Sequence, residues 1–99
     1  MIEAPETTEE FDALLVSDGA RAAEALIFAS ATPVSESFIA ERVPVGSDLP
    51  RILDVLQRAY KGRGINLVNI DGHWAFRTAS DLSFALRQDE HEVKKLSRA

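Results

Sequence analysis

The 99-residue chain contains no cysteine. That excludes disulfides and cysteine-based metal sites or nucleophiles, and it suits a reducing compartment. Aromatic residues are scarce, five phenylalanines with one tryptophan and one tyrosine, so each is a marked position. No apolar run approaches the roughly 20 residues that a membrane-spanning helix needs. The first 20 residues carry no basic side chain, and the start, Met1-Ile2-Glu3-Ala4-Pro5, lacks the basic-then-apolar order of a signal peptide. These absences point to a soluble, cytoplasmic protein.

What is present supports one small folded unit. Apolar residues make up 45% of the chain, enough for a modest core. The net charge of −5 is unevenly spread. Glu3, Glu6, Glu9, Glu10, Asp12 and Asp18 fill the start, whereas residues 21–88 are close to neutral. A DNA-binding module normally shows a basic stripe. Here positive charge gathers only at Arg58, Lys61 and Arg63.

Residues 1–17 read as an acidic, flexible leader. Within it Phe11, Leu14 and Leu15 have the spacing of a short amphipathic turn that docks on the body or on a second subunit. A folded domain is expected over 18–88. Ser17 or Asp18 caps a helix that runs to about Ser30, with Ala22, Ala25, Leu26 and Ala29 as its apolar stripe, broadened by Ile27 and Phe28. Thr32-Pro33 ends it. Ser35 caps a short helix to about Arg42, with Phe38, Ile39 and Val43 on its buried edge. Pro44-Val45-Gly46 breaks it. Ser47 or Asp48 starts a third helix, Leu49 to Tyr60, with Pro50 harmless in the first turn. Ile52, Leu53, Leu56 and Tyr60 face inward, and Arg51, Asp54, Val55, Arg58 and Lys61 outward. Gly62 and Gly64 close it.

Ile65–Ile70 and His73–Thr78 flank Asp71-Gly72, the signature of a hairpin with a two-residue turn. That turn sets Leu67 opposite Phe76, with Ile65 and Trp74 on the same, core-facing side. Ser80 caps a fourth helix with Leu82, Ala85 and Leu86. Residues 89–99 are a charged linker. Helix, helix, helix, hairpin is the outline of an α+β winged helix-turn-helix domain, with a two-stranded wing and a short fourth helix.

No constellation points to catalysis, a cofactor or a metal. His73 and His91 are the only histidines. Asp89, Glu90, His91 and Glu92 read as a solvated charge run rather than ligands. Lys61-Gly62-Arg63-Gly64 follows a helix, whereas a phosphate-binding glycine loop opens one. Binding is left, to nucleic acid or to protein. For DNA, Arg58, Lys61 and Arg63 are the candidate contacts, as in a transcriptional regulator, although Asp54 repels phosphate and Val55 offers no hydrogen bond. For protein, the candidate anchors are Phe28, Phe38, Val55 and Trp74.

Glu24-Ala25-Leu26-Ile27-Phe28-Ala29-Ser30 followed by Pro33-Val34-Ser35 resembles the opening of segregation and condensation protein B (ScpB). Tyr60-Lys61-Gly62-Arg63-Gly64-Ile65-Asn66-Leu67 is similar to that family's link from third helix to first strand, and Gly72-His73-Trp74-Ala75-Phe76-Arg77-Thr78 to its second strand. Lys95-Leu96-Ser97-Arg98-Ala99 resembles the lead into a second winged-helix domain, which is expected where this sequence ends. The resemblance spans about residues 20–99. It implies a non-catalytic subunit of the bacterial SMC–kleisin complex, acting in chromosome condensation and segregation. It also implies homodimerisation through this first domain, and contact with the kleisin ScpA and through it SMC; DNA is expected to be met only indirectly or weakly. The acidic leader falls outside the resemblance.

Overall fold

Local chemistry places most of the boundaries. The computed structural model describes residues 6–86; the expectations for 89–99, including Asp89, Glu90, His91 and Glu92, lie outside the described residues. Helix α1 (Thr8–Leu15) opens with a capping box, in which Thr7 Oγ1 accepts from the Glu10 N–H and Glu10 Oε1 accepts from the Thr7 N–H. Helix α2 (Asp18–Ala29) is capped by Ser17. The same hydroxyl accepts from Ala20 N–H and donates to the Leu14 carbonyl, so it joins the end of α1 to the start of α2. Ser35 caps α3 (Glu36–Ala40). Asp48 caps α4 (Leu49–Ala59), with Pro50 in its first turn, where an N–H has no partner to lose.

Strands β2 (Ile65–Ile70) and β3 (His73–Thr78) form the hairpin in the expected register, with Leu67 opposite Phe76 and Asn69 opposite Trp74. Asp71 and Gly72 both have positive φ, 52° and 83°, as the type I′ turn demands. The Asn69 side chain accepts from the Gly72 N–H at 2.9 Å. The sheet has three strands rather than two: β1 (Val34–Ser35) pairs antiparallel with the far edge of β3, in the order β1-β3-β2. Thr32-Pro33 stops α2 and leaves the next residues extended, and β3 supplies a free edge for them. The chain then makes a 3-10 turn (Ser80–Leu82) that runs into the one-turn helix α5 (Ser83–Leu86).

The core lies where α2, α3, α4 and the sheet meet. Ala23 and Ile27, Ile39, then Ile52, Leu53 and Leu56, with Leu67 and Trp74 from the sheet, form one cluster. Full burial of a leucine or isoleucine contributes about 1.5–3 kcal/mol, so the apolar face of α4 is the main stabilising element. Its other tie is Gln57, whose amide donates to the Leu67 carbonyl at 3.2 Å. Gly19 is buried where α2 crosses the start of α4; a Cβ there would stand 2.8 Å from Ile52 Cδ1 and 2.7 Å from Ser47 Oγ. Trp74 Nε1 donates to Glu36 at 3.1 Å and ties β3 to α3.

Two apolar stripes differ from the sequence expectation. On α2 the buried face is Gly19, Ala20, Ala23 and Ile27, whereas Ala25 and Ala29 are exposed and Ala22 and Leu26 half-buried. Counting alanines selects the wrong side, because α2 turns Ile27 and its smallest neighbours toward the crossing with α4. On α4, Val55 is not outward: its exposure is 0%. The short turn expected at Phe11, Leu14 and Leu15 is the eight-residue helix α1, and it packs on α4.

Candidate protein-interaction surface

The exposed apolar surface is built around Tyr60. This residue caps the C-terminus of α4, where the Asn66 amide donates to its carbonyl at 2.8 Å. Its ring meets Phe76 of β3 edge-on, centroids 5.0 Å apart, and its hydroxyl donates to Glu24 of α2. Three elements thus converge on one side chain. Around them runs an open groove of about 400 Å³ lined by Phe28, Ala25, Tyr60, Ile65 and Phe76, with Arg21 and Glu24 at its polar rim. A second depression continues past Tyr60 and Ile65 to Leu82 and Ala85. Phe28 is 74% exposed and Ile65 39%. Large apolar side chains clustered along a groove with a polar rim are the usual anatomy of a protein-binding site.

The hydrogen bond to Glu24, and then burial, hold the Tyr60 phenol above its ordinary pKa of 10.0. A raised folded-state value means that the folded chain holds this proton more tightly than the unfolded one. The stabilisation is therefore complete below about pH 10 and is lost as pH rises through the higher folded value. Tyr60 is the only tyrosine, so alkaline absorbance titration reads it alone. The expected midpoint lies above that of the unfolded chain, and Glu24→Gln moves it down. A midpoint unchanged by Glu24→Gln contradicts the assignment.

The sequence candidates are scattered by the fold. Of the four proposed protein anchors only Phe28 lines the groove. Trp74 is 8% exposed, with its indole N–H bound to Glu36, and belongs to the core. Val55 is inside. Phe38 is half-buried against the core, and the Arg42 guanidinium lies 3.7 Å from its ring centroid. The basic candidates are drawn apart as well. Arg58 donates to Glu6 at 2.8 Å and to Asp54 at 2.8 Å. Those two hydrogen bonds, Glu6 first, raise its pKa above the ordinary arginine value. Arg63 stands 5.9 Å from the Tyr60 ring centroid, on the groove side. Lys61 is exposed. Arg58 and Lys61 line one shallow depression with Gln57 and Asn66, whereas Arg63 turns to the Tyr60 ring.

Sequence reasoning missed Tyr60, Ile65 and Phe76 as surface. Periodicity marks all three as core, but only Phe76 packs against the core cluster, and Ile65 is 39% exposed. The available signal was the hairpin start: Ile65 is the first residue of β2, at the end of the strand pair away from the turn.

Among the described residues no helix is long and apolar enough to cross a membrane, and no group of three metal-type side chains gathers. No protein of curated function matches the chain. Its structure resembles the crystal structure of a conserved hypothetical protein from Chlorobium tepidum, with 28% identity and a TM-score of 0.60, covering 93% of this chain and 58% of that one. The chain therefore spans under two thirds of that protein's length. The family model for the segregation and condensation complex subunit ScpB matches residues 21–99, and the chain belongs to that family.

Proposed function

We propose that the chain is the first winged-helix domain of a non-catalytic ScpB-type subunit, and that it works in the bacterial cytoplasm by pairing with a second copy. In this reading the pair serves chromosome condensation and segregation as part of an SMC complex, reaching SMC through a kleisin of the ScpA type. Family membership supports the process. The single observation that supports the mode of action is the groove at Tyr60, with Phe28 standing 74% exposed beside it. A solvent-facing phenylalanine next to Ile65 and Phe76 suits a matching copy of the same surface, since a two-fold contact places like residues together. A stable contact of standard size removes about 1,600 Å² in total from water.

Sedimentation equilibrium tests the reading. A dimer is expected in the micromolar range, and addition of a kleisin middle segment should shift its mass if this domain alone holds the partner. A strictly monomeric chain at high micromolar concentration rejects pairing through this domain.

A DNA-reading role has less support. The α4 helix that enters the major groove in groove-binding winged helices here carries Asp54 mid-face, and its Arg58 is engaged by Glu6.

A further inference from the structure

The outward face of α4 is covered by the chain's own N-terminal segment. Arg51, Val55 and Arg58 follow at intervals of four and three residues, which places them on one side of the helix. Glu6 bridges the two arginines: Oε1 accepts from Arg51 at 3.4 Å and Oε2 from Arg58 at 2.8 Å. The Glu6 side chain is only 18% exposed. The Arg58 guanidinium lies 4.9 Å from the Phe11 ring centroid. Val55, between the arginines, has 0% exposure yet stands apart from the main core cluster. Helix α1 packs on α4, and Glu6 and Phe11 reach this side of it through the two arginines.

The cover is lightly built. Of its eight residues none is fully buried, and Leu14 and Leu15 sit partly buried against the core cluster. A helix of that length is not stable in water by itself, so its order comes from docking. Segments with few buried contacts open at low cost. The charges match: residues 6–15 carry Glu6, Glu9, Glu10 and Asp12 with no base, and they lie on a helix face that presents Arg51 and Arg58.

Opening α1 leaves a valine flanked by two guanidinium groups. That face fits an acidic amphipathic helix better than a nucleic acid. Valine has nothing to offer a base edge, and Asp54 repels phosphate. The residues that close the face also lie outside 21–99, the part matched by the family. We propose that the outward face of α4 is a docking site for an acidic amphipathic helix of a partner protein, with residues 6–15 as an intramolecular occupant that the partner helix displaces. This site is separate from the Tyr60 groove and does not depend on pairing there.

The test uses the full chain with Glu6→Lys, which sets a third cation between Arg51 and Arg58. The probe is a fluorescein-labelled peptide with the sequence of residues 6–17. Amide exchange across 8–15 should accelerate in the variant, and the peptide should bind it. Binding to the unaltered chain should be about tenfold or more weaker, because apparent affinity scales with the fraction of open sites. Adding Arg51→Glu and Arg58→Glu to Glu6→Lys should slow exchange again and abolish peptide binding. Unchanged exchange in Glu6→Lys overturns the proposal. So does a released α1 with no peptide binding, and so does a variant that binds duplex DNA in place of the peptide.

Discussion

Phe28→Arg is expected to weaken self-association about 30-fold or more, the effect of losing one hot-spot anchor of about 2 kcal/mol. The reason lies in how little the monomer uses this side chain. Phe28 is 74% exposed, so it leaves the fold almost untouched. The substitution places a cation on the apolar floor made by Ile65 and Phe76, where a second copy would have to desolvate it. Sedimentation reads the association constant, and thermal unfolding monitored by circular dichroism serves as the control. An unchanged dimer constant with an unchanged melting curve removes the Tyr60 groove as the pairing surface. A collapsed melting curve would place Phe28 in the core, contrary to its exposure.

Leu56→Ala should have the largest effect on stability. Leu56 is fully buried in the cluster shared by α2, α4 and the sheet. Truncating such a leucine costs about 2–5 kcal/mol, from lost transfer energy plus the cavity left behind. Domains of this size have about 5–15 kcal/mol in total, so much of the margin is removed. The thermal midpoint should fall by about 8–40 °C, at about 4–8 °C per kcal/mol for a domain of this size. Val55→Ala is the informative partner. Val55 is as completely enclosed as Leu56, but it is outside the main cluster and lies on α4, against which the short helix α1 packs; that helix can settle into the gap. Its loss should be clearly smaller. Equal losses at the two positions would show that α1 is as firmly set as the core.

The wing and the helix order were legible because short-range chemistry decides them. Asp71-Gly72 fixes the turn, the turn fixes the register, and the register puts Leu67 against Phe76. Ser17, Ser35 and Asp48 mark helix starts by their capping oxygens. What was not legible depended on long-range contact. Val55 reads as outward from periodicity alone, yet it is fully enclosed on a helix against which a segment far earlier in the chain packs. The third strand is two residues long, below any periodic signal, and exists because β3 has an edge to offer. Trp74 reads equally as anchor or core until Glu36, on another element, is seen to hold its N–H. The candidate site was the least readable part. A groove is a place where packing stops, and an apolar residue at its lip has the same letter as one beneath it.

The single tryptophan therefore has a practical value. Trp74 sits at the seam between β3 and α3, shielded from water and tethered by one carboxylate. Its emission should be blue-shifted in the native chain and should move to the red only when that seam parts. Tyr60, by contrast, watches the groove. The molecule thus carries two built-in optical reporters on separate territory, one that records collapse of the interior and one that records events at the lip, and a ligand that alters the second while sparing the first has bound without unfolding anything.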